Sequence, residues 1–162
     1  MKSAKVLKQE NTQPSRMTDK HIINFLLISD DPAGIMTLTD EFRKDKIANP
    51  LFVEDMDSDV LNMIKQKSKK ENTPLNNWIV LLDMKTQPGN GFQILKNIQG
   101  HPELQNINIF VITSSPDIKT QIEAAKYKVS GYIEKPVTFD KLAAAISILN
   151  YKWHLTDEGS EK

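Results

Sequence analysis

From Ile22 onward the chain alternates short apolar runs with longer stretches whose apolar positions recur every three or four residues. Phe25-Leu26-Leu27-Ile28-Ser29, Trp78-Ile79-Val80-Leu81-Leu82 and the run from Ile107 to Ile112 are too short for helices and rich in β-formers. Each therefore reads as a buried strand. With two briefer runs the pattern predicts strands at about 22–28, 50–54, 78–82, 107–112 and 130–134. Helices fall between and after them. The first, about 32–46, has Asp31 as candidate N-cap and Pro32 at its first position, where proline costs no hydrogen bond. The second, 57–70, carries Val60, Leu61, Met63 and Ile64 and ends on lysines suited to the helix dipole. The third, 90–99, stops at Gly100 with Pro102 beyond it. The fourth runs from Pro116 to about Lys126, and the fifth from near Thr138 to about Asn150. Five β–α repeats with short connections predict an α/β fold, a doubly wound parallel sheet with helices on both faces. Residues 1–20 are polar and aperiodic and read as a disordered tail, 21–150 as the domain, and 151–162 as a C-terminal tail.

Composition narrows the classes of function. The chain of 162 residues suits one ordinary domain, and its 21 basic and 21 acidic side chains balance. That leaves no global field for nucleic acid or an acidic membrane, so neither is expected as a partner. Lys65, Lys67, Lys69 and Lys70 read as a solvated helix end rather than a nucleic-acid patch. There is no cysteine, which removes disulfides, thiolate catalysis and Cys-ligated zinc. No run has the length of a signal core or a membrane span. A cytoplasmic protein is the expectation.

The polar residues that end the strands carry the chemistry. Asp83 closes the third strand, at the mouth where open parallel sheets place their ligands. Asp30-Asp31 follow the first strand, Thr113-Ser114-Ser115 the fourth and Lys135-Pro136 the fifth. Aspartates, a hydroxyl and an ammonium suit the holding of a metal and a phosphoryl group together. Each residue alone has a plainer reading. Asp83 could close a turn, Asp31 cap a helix, Thr113 end a strand, and Tyr132 pack as an ordinary half-buried aromatic.

Taken in order, these residues closely resemble the receiver domain of two-component response regulators, over about 22–150. The first strand with its acidic cluster, Asp83 with Gly91 eight residues on, Thr113, Tyr132 and Lys135-Pro136 all fall at that family's spacing. The resemblance implies the flavodoxin-like sheet order 2-1-3-4-5. It also implies roles. Asp83 would be the phosphoacceptor, forming an acyl phosphate. Asp30, Asp83 and the backbone carbonyl of Lys85 would hold Mg²⁺, with Asp31 as a further candidate. Lys135 would pair with the phosphoryl group across a cis Lys135–Pro136 peptide. Thr113 and Tyr132 would be the switch pair, altering the surface of the fourth helix, fifth strand and fifth helix. A histidine kinase or histidine phosphotransfer protein would supply the phosphoryl group, and a further protein would read the output. The implied protein is a stand-alone receiver that catalyses its own phosphorylation and dephosphorylation without being an enzyme in the usual sense. Ala143-Ala144-Ala145-Ile146 with Ile148 and Leu149 gives the fifth helix unusual apolar breadth. That breadth fits core packing, or else a homodimer or partner face built on the fourth and fifth helices.

The chain departs from the family at three positions. Ser29 stands where another acid is usual, which takes one negative charge from the metal site. Gln87 takes the usual place of proline, with Pro88 one later. Lys85 would face the route of the water that hydrolyses the acyl phosphate. These departures support a rival reading, a pseudo-receiver that binds partners without phosphorylation. An aspartyl-nucleophile phosphatase of the haloacid dehalogenase type is a third reading, set back because Lys85 stands where that family has a second aspartate. A flavodoxin-like nucleotide binder is discounted, because Asp30-Asp31-Pro32 is acidic where a phosphate would need donors.

Overall fold

A computed structural model of the protein describes residues 3–9, 23–55, 59–70, 75–84, 90–105, 107–149 and 151–157. The strands are β1 (Ser3–Gln9), β2 (Asn24–Ile28), β3 (Leu51–Glu54), β4 (Trp78–Asp83), β5 (Asn108–Thr113), β6 (Gly131–Glu134) and β7 (Tyr151–Asp157). The helices are α1 (Pro32–Lys44), α2 (Val60–Lys70), α3 (Asn90–Gln99), α4 (Pro116–Ala124) and α5 (Phe139–Ile146).

Five strands form one sheet in the order β3-β2-β4-β5-β6, every pair parallel. Counted from β2, this is the expected order 2-1-3-4-5, and the fold is flavodoxin-like. Successive side chains of a strand point to opposite faces, and the apolar runs fill both. Leu26, Ile28, Val80, Leu82 and Val111 meet Val60 and Ile64 of α2, Ile94 and Leu95 of α3, and Ile118 and Ile122 of α4. Phe25, Leu27, Ile79, Leu81, Phe110 and Ile112 meet Leu38 and Phe42 of α1 and Leu142 and Ile146 of α5. All six residues of β4 are buried, which explains why it reads as a continuous apolar run rather than an alternating one. Asp83 is carried at the end of this central, wholly buried strand.

Two helices end earlier than the sequence pattern predicts, and for one reason. After α1, Lys46 adopts φ 55, its N–H bonds to the Arg43 carbonyl and the Ile47 N–H to that of Phe42. After α4, Lys126 adopts φ 63, with its N–H on Glu123 and the Tyr127 N–H on Ile122. Both are Schellman closures with lysine where glycine is usual, so the glycine signal for a helix end is missing from the sequence. Helix α5 also stops sooner, at Ile146, and continues as a 3₁₀ turn over Ser147–Leu149.

The segments assigned from the sequence to the two tails pair with each other. Strands β1 and β7 run antiparallel from Ser3↔Asp157 to Gln9↔Tyr151, which corrects the aperiodic reading for residues 3–9. The alternation of Tyr151, Trp153 and Leu155 with Lys152, His154 and Thr156 has the period of a strand. Residues 10–22, Lys85, Gln87 and Pro88 lie outside the described residues.

Candidate functional site

Parallel pairing brings the ends of four strands side by side. Asp83 is in register with Ile112 and Thr113 with Glu134, so each strand delivers its polar terminus to one mouth. The turns are fastened by main-chain bonds: Met84 N–H to Ile112, Lys135 N–H to Thr113 and Ser29 N–H to Glu54. The Lys135–Pro136 peptide is cis.

Asp83 is the centre of the cluster and is only 5% exposed. Its Oδ2 accepts a hydrogen bond from the Ser29 hydroxyl at 2.7 Å. Its Oδ1 lies 2.7 Å from Lys135 Nζ, a charge contact whose angle leaves Oδ1 without a well-directed hydrogen bond among the described residues. Lys135 Nζ also lies 3.5 Å from Asp31 Oδ2. One ammonium thus stands between two carboxylates.

Asp31 holds the N-cap position of α1, where its carboxylate lies near the Gly34 N–H without a well-formed capping bond. The carboxylate also faces Lys135. Burial pushes its carboxyl up, but the Gly34 N–H and the charge and hydrogen bond of Lys135 outweigh that and hold it below the ordinary 3.8. Gly34 explains how the carboxylates come together. A Cβ there would stand 3.1 Å from Asp31 Oδ2 and 3.5 Å from Asp83 Oδ2, so glycine leaves room for both oxygens over the first turn of α1. Asp30 is exposed.

Thr113 is buried, and its Oγ1 accepts the Ser115 N–H at 3.1 Å. The bond uses a lone pair and leaves the hydroxyl proton available for donation. Tyr132 packs at the edge of the α2–α4 face, with Lys119 Nζ 5.4 Å from its ring centroid. Burial, and then the charge of Glu123, push its phenol above 10.0. Asp83, Lys135, Asp31 and Ser29 therefore meet directly, Thr113 borders them on the next strand, and Tyr132 sits toward α4.

A cleft of about 300 Å³ opens beside the carboxylates, lined by Asp31, Gly34, Leu38, Asp83, Lys135 and Val137. A somewhat larger hollow of about 350 Å³ lies at the opposite end of the sheet. Its polar groups are turned onto the protein: the Gln99 amide pairs with both the N–H and the carbonyl of Lys128, and Ser130 donates to Asn108. The reactive groups are in the first cleft.

The donor set suits a hard divalent cation. Two carboxylates and a hydroxyl are all oxygen donors, and Oδ2 of Asp83 and Oδ2 of Asp31 both lie near the Cβ position of Gly34. Magnesium commonly takes only one or two carboxylates and completes its shell with water and phosphate oxygens.

Spacing along the sequence shows Ser29 only as a missing acid, whereas in the fold it donates to Asp83. Asp31 beside Pro32 has the local signature of a cap, whereas in the fold its carboxylate also faces Lys135. Gly34, in the first turn of the helix, is the sequence feature that fits the close approach of two side chains there.

Comparison with known proteins bears on the family and the fold. A family model for the response regulator receiver domain matches residues 25–147. The chain is 25% identical over 131 residues to the probable C4-dicarboxylate response regulator DctR of Halalkalibacterium halodurans, covering 81% of this chain and 53% of that protein. It thus spans about half the length of that relative. It is 23% identical over 128 residues to response regulator Rcp1 of Synechocystis sp., covering 79% of this chain and 86% of that one. Among solved structures, the bacteriophytochrome response regulator AtBRR matches with a TM-score of 0.68 at 25% identity, over 84% of this chain and 98% of that one. The Mn²⁺-bound form of Rcp1 shares the fold at a TM-score of 0.51 and 20% identity, over 79% and 89% of the two chains. The matched segment runs from β2 to the end of α5 and contains the whole strand-end cluster, so the chain belongs to the response regulator receiver domain family of two-component signalling.

Proposed function

We propose that this domain accepts a phosphoryl group on Asp83 in a Mg²⁺-dependent reaction and passes the change to another protein through the surface of α4, β6 and α5. The observation that carries the reading is the Asp83 carboxylate at the end of the central strand, with Lys135 Nζ 2.7 Å from Oδ1. Buried carboxylates seldom persist without a counter-charge. Here the ammonium is close enough to follow the charge from the carboxylate to the phosphoryl group.

In this reaction Asp83 Oδ1 attacks phosphorus, the bond from phosphorus to the donor atom breaks, and the donor leaves with the electron pair. Lys135 offsets charge on the transferred group as a point cation. Thr113, whose oxygen is occupied by Ser115 N–H, donates its proton to a phosphoryl oxygen. Asp30, Asp83 and the Lys85 carbonyl would hold the magnesium, with Asp31 as the second carboxylate beside Asp83. The cation supplies the neutralisation that lets an anionic carboxylate approach an anionic donor. The Mn²⁺ form of Rcp1 supports a divalent cation in a relative. A histidine kinase or histidine phosphotransfer protein is the proposed donor. Tyr132 is the proposed second half of the switch: it is carried by β6, and Lys119 of α4 lies over its ring.

The rival pseudo-receiver reading draws on one observation, that Asp83 Oδ2 meets the hydroxyl of Ser29 where the family places an acid. Intact mass after incubation with acetyl phosphate separates the two. The phosphoacceptor reading predicts an adduct that needs Mg²⁺ and is abolished by EDTA. A chain that binds Mg²⁺ yet takes no phosphoryl group from either acetyl phosphate or a phosphorylated histidine donor would favour the pseudo-receiver.

A further inference from the structure

We propose that Ser29 is a gate on the divalent cation: its hydroxyl proton occupies the oxygen of Asp83 that the cation needs. The inference rests on the metal-dependent reading above.

The two oxygens of Asp83 have different neighbours. Oδ1 faces Lys135. Oδ2 is the atom that shares the space above Gly34 with Asp31 Oδ2, and it is turned away from the Lys135 contact, so a cation shared with Asp31 would bind through it. That oxygen takes the Ser29 hydroxyl at 2.7 Å. The hydroxyl has little freedom to turn away. Ser29 is 2% exposed, and its oxygen already accepts the Asp31 N–H at 3.0 Å, which leaves the proton directed at the carboxylate. The positive end of the O–H dipole and a cation compete for the same lone pairs. An aspartate at position 29 would add charge to the cation site, whereas this serine withdraws some from it. The Asp31 N–H bond also couples the main chain at one carboxylate to the side chain of the other, so the hydroxyl cannot be displaced without loosening the start of α1. Ser29 is thus a positioning residue. It holds Asp83 in a cation-poor resting state and sets the Mg²⁺ concentration at which the domain becomes competent.

The test is calorimetric titration of the chain with Mg²⁺ alone, without a phosphodonor, for wild type, Ser29→Ala, Ser29→Thr and Ser29→Asp. Each variant is first confirmed folded by far-ultraviolet circular dichroism. Loss of the donor in Ser29→Ala is expected to tighten Mg²⁺ binding about tenfold, the equivalent of one charge-assisted hydrogen bond. Ser29→Thr, which keeps the hydroxyl, is expected to stay within about twofold. Should Ser29→Ala fail to fold, Ser29→Cys replaces it, a thiol being a weak donor, and tighter binding is again expected. Unchanged or weaker binding in the variant that lacks the hydroxyl overturns the gate, while the metal-dependent reading survives. No Mg²⁺ binding by any of the proteins, Ser29→Asp included, overturns that reading and the gate with it.

Discussion

Asp83 at the end of β4 and Lys135 just after β6 meet across the mouth of the sheet at 2.7 Å between Nζ and Oδ1, with the carboxylate 4% and the lysine side chain 22% exposed. Removing the lysine leaves a buried carboxylate without its nearest counter-charge. Lys135→Ala is expected to lower stability by about 1–3 kcal/mol, below the cost of breaking a fully buried pair because the lysine keeps some solvent. The double variant Lys135→Ala/Asp83→Asn should recover much of the loss. Urea denaturation reads both, and an unchanged midpoint in Lys135→Ala would mean the contact contributes nothing in solution.

Glu41 joins α1 to α5. Its Oε1 accepts the Phe139 N–H at 2.7 Å, at the start of α5, and Oε2 pairs with Lys44 at 3.0 Å. The Lys44 hydrogen bond first, and then the Phe139 N–H, hold the Glu41 carboxyl below the ordinary 4.5. A carboxyl whose folded pKa is depressed stabilises the fold above the unfolded value, and the contribution fades as pH falls through the folded one. Stability should therefore decline as pH drops from about 5 toward 3, and less steeply in Glu41→Gln. Parallel pH profiles for the two proteins would remove Glu41 from the account.

Ser68 and Trp78 fasten α2 to the sheet. The indole N–H of Trp78, a residue with 0% exposure, donates to Ser68 Oγ at 2.6 Å. Ser68→Ala leaves that donor buried and unpaired, at an expected cost of about 1–3 kcal/mol. A loss below about 0.5 kcal/mol in the denaturant midpoint would indicate that water or a shifted helix meets the indole.

Lys126, at φ 63, occupies a backbone region that L side chains adopt at a cost. Lys126→Gly should stabilise the protein by about 1 kcal/mol, because glycine meets no Cβ penalty there. Lys126→Ala, which keeps the Cβ, should give no such gain. Thermal melting of the two variants separates relief of backbone strain from mere loss of a charge.

The central architecture was legible because the two periodicities are undisturbed where they matter. Trp78–Asp83 is apolar until its last residue, and the helices repeat at the spacing of one buried stripe. The helix ends at Lys46 and Lys126 were illegible because the Schellman closure there uses lysine. The polar cluster was legible as an inventory but not as a network. Asp31 next to Pro32 carries a strong local capping signal, whereas its contact with Lys135 joins residues 104 apart. Likewise, Ser29 could be read as a missing charge from spacing, but its bond to Asp83 spans 54 residues and exists only once β2 lies beside β4. Long-range side-chain direction is what a linear pattern lacks.

The most direct test of the account locates the phosphoryl group. After incubation with acetyl phosphate and Mg²⁺, the acyl phosphate is reduced with borohydride, which converts a phosphorylated aspartate to homoserine, and the peptides are mapped by mass spectrometry. The account predicts homoserine at position 83, none at Asp30 or Asp31, and no adduct in Asp83→Asn. Modification at another residue, or an adduct that persists undiminished in Asp83→Asn, would contradict it.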